Sequence, residues 1–221
     1  RAAFPPGAPP PELEETGGEV TDGRGARSTS PGSPASPAVI CTSPNDMIVH
    51  GIPGSYRLEE GDIISIDCGA IIQGWHGDAA FTAPVGQVSE EAAKLIKVTE
   101  ESLYAGIDQM VDGNRISDIG HAVQTVAEAA GFSVVREYVG HAIGTAMPEK
   151  PEVPNYGDPG KGPKLRVGNV YAVEPMVNVG SPGTRLLDDG WSVMTADGSL
   201  SCHWEHTIAI TDDGPEILTL P

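Results

Sequence analysis

Residues 63–82 read IISIDCGAIIQGWHGDAAFT, and this stretch does most to set the expected fold. Two runs of apolar and β-branched residues, 63–70 and 75–82, flank the pair Gln73-Gly74. Such runs on either side of a two-residue turn are typical of a β-hairpin. The stretch therefore predicts two antiparallel strands.

The hairpin carries one aspartate on each strand, Asp67 and Asp78. With this turn, residue 67 lies opposite residue 80, so the aspartates are diagonal neighbours on one face, roughly 7–8 Å apart at Cα. Two carboxylates on an apolar face repel each other and are costly to bury unless a cation or a proton lies between them. One aspartate alone could point to solvent or cap a turn, but the pair favours a shared cation.

Beyond the hairpin, helix and strand patterns follow one another. Helical spacing of apolar residues begins after Ser89 and ends at Gly113, and a second helical pattern runs from Ser117 to Gly131. Further apolar runs predict strands at 133–138, 169–177, 191–195 and 203–211. Strands, two adjacent helices and more strands predict an α+β fold with a mainly antiparallel sheet.

Residues 1–37 differ in composition from the rest, because 14 of the 37 are Gly or Pro and few are large and apolar. Such a segment buries too little surface to offset its conformational entropy. We expect residues 1–37 to form a disordered tail and residues 38–221 to form one globular domain. The alternative is an irregular arm packed on that domain.

Charge and cysteine content exclude several classes of protein. The 221 residues carry a formal net charge of −18, which opposes binding to nucleic acid or to an anionic membrane. No apolar run approaches the ~18 residues of a membrane helix, and the first residues lack a signal-peptide core. Three cysteines, Cys41, Cys68 and Cys202, are too few for a disulfide framework or a thiolate zinc site. We expect an acidic cytoplasmic protein.

Three further residues with metal-binding side chains, His141, Glu174 and Glu205, stand in or beside apolar strand runs. Each alone is more typical of a hydrogen-bonded histidine or a solvated edge glutamate. With Asp67 and Asp78 they make four carboxylates and one imidazole, a set that favours divalent Mn, Fe, Co or Zn. Four carboxylates exceed the need of one ion, so the set favours two.

Five motifs follow one another along the chain: CTSPNDMIVHGIP (41–53), ID with WHGD (66–67 and 75–78), GHAIG (140–144), VEPM (173–176) and WEHT (204–207). In this order they resemble the type I methionine aminopeptidases, a subfamily of the M24 metallopeptidases, from about residue 38 to the C-terminus. The resemblance implies the pita-bread fold, a pseudo-twofold α+β architecture with a curved sheet and covering helices. It also implies that residues 38–221 are a metalloaminopeptidase domain that removes the initiator methionine from nascent proteins.

The resemblance also assigns a metal centre and its partners. It implies two divalent ions (Co, Mn, Fe or Zn) held by five ligands: Asp67, Asp78, His141, Glu174 and Glu205. Two of these ligands, Asp78 and Glu205, are implied to bridge the ions. The implied partner is the N-terminal methionine of nascent polypeptides, with transient ribosome association. The implied oligomeric state is a monomer.

Catalytic and pocket residues follow from the same resemblance. Glu174 is the expected proton acceptor from the attacking water, and His50 is the expected donor to the peptide or the developing oxyanion. Cys41, Met147 and Trp191 match the pocket for the methionine side chain. For Met147 and Trp191, core packing alone is the simpler interpretation of the sequence.

The chain departs from the family pattern in three places. Ala142 replaces the inner glycine of G-H-G-I-G, and Pro148 stands where a second histidine is expected, with His203 as a candidate to compensate. Residues 30–36 offer no aromatic wall for the pocket. The usual N-terminal helices are missing, so we expect an N-terminally incomplete domain with an uncovered sheet face.

These departures leave two other functions open. One is an X-Pro aminopeptidase or dipeptidase of the same fold, and the other is a catalytically impaired pita-bread module that binds metal or peptide. Loss of one oxyanion donor, as at Pro148, typically lowers the rate by a factor of ~10²–10³.

Overall fold

A computed structural model of the chain describes residues 3–7, 10–29 and 38–220. Its helices in these ranges are α1 (Pro10–Gly23), α2 (Glu90–Ile107) and α3 (Ile116–Ala129). Its strands are β1 (Arg27–Ser28), β2 (Cys41–Pro44), β3 (Met47–Val49), β4 (Ile63–Ile72), β5 (Trp75–Pro84), β6 (Ser133–Val134), β7 (Gly140–Ala142), β8 (Glu149–Val153), β9 (Val170–Val173), β10 (Met176–Asn178), β11 (Thr184–Leu186), β12 (Val193–Thr195), β13 (Ser201–His203), β14 (His206–Thr211) and β15 (Gly214–Ile217).

The paired strands are antiparallel throughout. β4 pairs with β5 on one side and with β1 and β2 on the other, and a five-stranded sheet has the order β15-β14-β9-β7-β8. Two three-stranded sheets, β13-β10-β6 and β11-β12-β3, complete the architecture. The α+β class with mainly antiparallel strands is confirmed.

The hairpin has the predicted register. Asp67 pairs with Ala80, and the last pair before the turn is Ile72 with Trp75. Gln73 and Gly74 adopt positive φ values of 54° and 87°, as the tight turn between twisted antiparallel strands requires.

Helices α2 and α3 lie together on one side of the sheets. α2 begins where the sequence predicts, because the Ser89 hydroxyl accepts a hydrogen bond from the amide of Ala92 at 3.1 Å. Leu95 of α2 and Ile119 of α3 are fully buried, in one core cluster with strand residues such as Val173. This packing leaves the opposite side of the sheets available for a functional site. No helix in the described ranges is long and apolar enough to cross a membrane.

The prediction of a disordered tail is wrong for much of residues 1–37. Residues 10–23 form α1, and β1 extends the edge of β4. The helix docks through polar contacts, since the Glu14 carboxylate accepts the amides of Val39 at 2.7 Å and Ile40 at 3.1 Å. Hydropathy does not reveal such contacts. Residues 1–2, 8–9 and 30–37 lie outside the described residues, and so does the stretch expected to lack an aromatic wall.

The outer face of the hairpin sheet is partly covered, contrary to expectation. Phe4 and Leu13 pack against a buried apolar cluster formed by Leu58, Ile64 and Val85. The amide of Phe4 also donates to the carbonyl of Pro84 at 2.9 Å. The N-terminal segment therefore covers part of the sheet face that was expected to be uncovered.

Candidate functional site

One cavity of about 360 Å³ brings together every site residue predicted from the sequence. Its lining includes the five predicted metal ligands, the predicted catalytic histidine and the three predicted pocket residues: Asp67, Asp78, His141, Glu174, Glu205, His50, Cys41, Met147 and Trp191. These residues come from distant parts of the chain, so the fold assembles the cavity.

Strand pairing explains how the acidic residues meet. Asp78 lies on β5, and the main chain of its neighbour Ala80 pairs with Glu205, whose amide donates to the Ala80 carbonyl at 2.8 Å. His206 pairs with Val173, so Glu205 and Glu174 adjoin this pair at the ends of two neighbouring strands. The hairpin and the five-stranded sheet thus present their carboxylates to one another.

Ligand-type atoms lie close together in this arrangement. Donor atoms of Asp78, His141 and Glu205 all lie within 4.8 Å of one another. His141 Nε2 is 3.6 Å from Glu174 Oε1. His141 Nδ1 donates to the carbonyl of Ala142 at 3.0 Å, which leaves the Nε2 lone pair free for a metal in the neutral ring.

Burial raises the pKa of all four carboxyl groups, and neighbouring carboxylates raise the pKa of three of them further. Burial raises the pKa of Asp67 to about 6, against a smaller lowering by its hydrogen bond from Asp78. Burial is also the largest cause of the raised pKa values of Asp78, Glu174 and Glu205, and the neighbouring carboxylates raise each of these pKa values further. Burial lowers the pKa of His141. Two buried acids, Asp78 and Glu205, two half-buried acids, Asp67 and Glu174, and a neutral imidazole form a site that attracts cations.

The donor set fits divalent metal ions. Glu205 Oε1 is buried and has no hydrogen-bond partner among the described residues. A carboxylate oxygen held in this way is costly unless a cation neutralises it. Four carboxylates and one imidazole are ligands that Mn, Fe, Co and Zn accept.

His50 faces the same cavity from the end of β3. Its φ of 62° lies in the left-handed region, which non-glycine residues rarely adopt and which is enriched at functional sites. Its ring stacks on Trp191, with centroids 5.0 Å apart, and meets the edge of Tyr138 at 5.9 Å. Burial lowers the pKa of His50. The ring is therefore neutral and held between two aromatic side chains.

Several residues that line the cavity were not predicted from the sequence. Tyr138 supplies an aromatic wall, and Thr29 and His76 also line the cavity. Tyr138 stands three residues before His141, within the same motif region, and this proximity was the available signal. Thr29 reaches the site because its amide donates to the Gly69 carbonyl at 3.0 Å, a tertiary contact without a local pattern.

The structure shows where the residues that depart from the family pattern lie. Ala142 is buried and pairs with Tyr171, so its methyl group belongs to the core. Pro148 lines the cavity next to Met147 and offers no side-chain donor there. His203 is buried and is not part of the cavity lining in the described ranges.

Comparisons with known proteins identify relatives of this chain. The profile of Metallopeptidase family M24 matches residues 14–212. A methionine aminopeptidase of Clostridium perfringens is 53% identical over 215 residues, covering 97% of this chain and 86% of the relative. The family match begins inside α1, which agrees with the docking of that helix.

Solved structures give the same result. The crystal structure of methionine aminopeptidase from Rickettsia prowazekii has a TM-score of 0.96 and 40% identity, covering 98% of this chain and 88% of that chain. A prolidase from Pyrococcus furiosus has a TM-score of 0.75 at 17% identity, covering 99% and 57%, a likeness that shows the fold alone. The fold is the pita-bread fold. Its sequence and its structure together place this chain in metallopeptidase family M24.

Proposed function

We propose that this chain is a methionine aminopeptidase, a metal-dependent hydrolase that removes the N-terminal methionine from polypeptides. One observation carries the proposal. A single cavity is lined by four acidic side chains and an imidazole, together with His50, Cys41, Met147 and Trp191. The acidic side chains suit cations, and the sulfur-containing and aromatic side chains suit an apolar group of limited size.

In this proposal Asp67, Asp78, His141, Glu174 and Glu205 would hold two divalent ions. When bound, such a pair lowers the pKa of a water and polarises the scissile carbonyl. Glu174 is the group that takes the proton from the water. Burial and the neighbouring carboxylates raise the pKa of Glu174, which suits a proton acceptor.

His50 is the second catalytic group. Its neutral ring can donate one N–H to the peptide or to the oxygen of the carbonyl as negative charge develops there. The stack on Trp191 and the edge contact with Tyr138 restrict its rotation. A donor held in place before the reaction needs no reorganisation when the charge appears.

The substrate's methionine side chain lies in this proposal against Cys41, Met147 and Trp191. Sulfur-containing and aromatic walls suit an unbranched, polarizable thioether. In this proposal the natural substrates are nascent polypeptides. The protein therefore acts in the cytoplasm, in transient contact with ribosomes. It acts as a monomer. Its ions are Co, Mn, Fe or Zn.

The test is release of methionine from a Met-Ala-Ser peptide by protein loaded with Mn, Co or Fe, with bound metal measured by elemental analysis. Methionine release that is lost in Glu174→Gln and kept in Glu152→Gln supports the proposal. Glu152 is the matched control, since it is an exposed strand glutamate. No release from protein with two bound ions would overturn the proposal, and so would preference for an X-Pro peptide.

A catalytically impaired module is the second candidate, and Pro148 is the observation that favours it. In this case the protein binds two ions and the Met-Ala-Ser peptide but releases methionine slowly. Isothermal titration of the peptide onto the metal-loaded, unsubstituted chain measures binding, and methionine release measures turnover.

A further inference from the structure

His203 has an imidazole that the fold leaves without a partner. The residue is 1% exposed, and neither Nδ1 nor Nε2 has a hydrogen-bond partner among the described residues. Its main chain is fully engaged, since its amide donates to the Thr82 hydroxyl at 3.0 Å and its carbonyl accepts from that hydroxyl at 2.9 Å. The side chain therefore adds nothing to strand pairing.

Strand geometry shows where this ring points. The preceding residue, Cys202, is buried in the core cluster that includes the helices. Side chains alternate along a strand, so His203 faces the opposite side. Its register partner is Met176, which packs in a separate apolar cluster with Val49. His50 is the next residue after Val49.

Strand β13 also packs against β3, so the His203 ring lies behind the part of the cavity wall that His50 forms. A neutral imidazole offers one N–H donor and one acceptor. Buried polar groups of this kind are nearly always hydrogen-bonded, to protein or to an ordered water with two to four polar partners.

We propose that His203 is a positioning residue for His50, which it holds through one buried water so that the other nitrogen of His50 faces the cavity. His203 lies outside the described cavity lining, so it acts through His50 and does not touch substrate. The inference rests on the proposed function, because it assumes that His50 acts on the peptide. His203 would thus hold the His50 ring in place, in a cavity where Pro148 offers no side-chain hydrogen-bond donor.

The experiment compares His203→Leu, which removes both nitrogens, with His203→Gln, which keeps one donor and one acceptor. Cys202→Ala is the control on the same strand, facing the opposite side. With Met-Ala-Ser, His203→Leu should lower kcat by roughly tenfold or more and leave KM within about twofold. His203→Gln should recover most of kcat, and Cys202→Ala should keep it, in each case at unchanged metal content.

Two readouts separate positioning from a structural role. In the His50→Ala background, adding His203→Leu should change kcat by less than about twofold, because the group it positions is gone. In metal-free protein at a fixed pH, the ¹⁵N signals of the His50 ring report its tautomer, and His203→Leu should shift them. The thermal midpoint of His203→Leu should not fall below that of the unsubstituted chain.

A kcat of His203→Leu within twofold of the unsubstituted chain would overturn the proposal. Unchanged His50 ¹⁵N signals, or an equal loss of kcat with and without His50, would also overturn it. If the unsubstituted chain cleaves no peptide, the proposed function fails, and the ¹⁵N signals alone decide the positioning of His50.

Discussion

Asp67 and Asp78 share a hydrogen bond between their carboxyl groups across the central hairpin, which requires a proton between them. Burial raises the pKa of Asp67 to about 6, and the pKa of Asp78 lies well above its usual range. Without metal, the folded chain thus holds protons that the unfolded chain, with carboxyl pKa values of about 4, has already lost.

The metal-free protein should therefore lose stability as the pH rises. A folded-state pKa above the unfolded value stabilises at low pH, and this contribution is lost as pH rises through the folded pKa. The lowered pKa values of His50, His141 and His203 act in the opposite direction, but only below about pH 6.5. We expect the free energy of unfolding to fall as the pH rises above about 6.5, where the histidines no longer oppose the carboxyl groups.

Urea denaturation in the presence of a chelator measures this slope. Glu205→Gln should flatten it, since one of the crowded acids is gone. A free energy of unfolding that rises over this interval would contradict the assignment of raised carboxyl pKa values in the folded chain.

Metal should reverse this dependence. Divalent ions bind the deprotonated carboxylates, so saturating Mn²⁺ should stabilise the protein more at high pH than at low pH. At a free concentration of 100 times Kd the gain is about 2.7 kcal/mol. Differential scanning fluorimetry with and without Mn²⁺ measures it. Asp78→Asn should abolish the gain, whereas Asp158→Asn, on an exposed loop, should keep it.

Pro148→His should raise kcat for Met-Ala-Ser. An imidazole at the cavity wall would restore a donor near the developing oxyanion, and one such donor typically contributes a factor of ~10²–10³. We expect a gain of roughly tenfold or more, measured by steady-state kinetics. Pro148→Ala separates the imidazole from relief of the proline backbone. Equal gains in the two variants would show that the backbone matters and the donor does not.

Trp191→Ala should lower kcat and raise KM. The indole lines the cavity and stacks on His50 at 5.0 Å, so its loss removes pocket surface and frees the His50 ring. We expect kcat/KM to fall by roughly 10–200-fold, the range for a lost apolar contact in a substrate pocket. Trp75→Ala is the control, because Trp75 is 64% exposed at the hairpin tip. A loss confined to KM would assign Trp191 to the pocket only.

Glu14→Ala should destabilise the fold without touching the cavity. Its carboxylate accepts two amides, those of Val39 and Ile40, and charged hydrogen bonds of this kind contribute about 1.5–3 kcal/mol each. Since the site is only part-buried, we expect a loss of about 1–3 kcal/mol in urea denaturation. Glu15→Ala, one residue along the same helix and exposed, should change stability by less than about 0.5 kcal/mol. Similar losses in both variants would rule out the Glu14 contacts as the docking device.

Local patterns predicted the parts of the structure that depend on local interactions. The register of Asp67 opposite Ala80 follows from the turn at Gln73, and α2 begins at its Ser89 cap. The predicted strand at 133–138 is shorter, because β6 ends at Val134. The chain then turns so that Tyr138 lines the cavity.

Tertiary contacts decided what the sequence did not show. α1 docks through hydrogen bonds from main-chain amides to Glu14, and hydropathy does not register these. Thr29 and His76 reach the cavity through pairing with distant main-chain groups, Gly69 and Gly144. The predicted metal ligands were accessible from the sequence because acidic side chains in apolar strands are rare and costly.

The bridge between Ala80 and Glu205 has a consequence for synthesis. Glu205, one of the acidic residues that line the cavity, comes late in the sequence, so a chain emerging from the ribosome has no complete set of proposed ligands until residue 205 has been translated. A truncated product that stops before this point carries the hairpin, the helices and His141 but lacks this proposed ligand. We therefore expect metal uptake to follow translation, which protects unfinished chains from acquiring proteolytic activity.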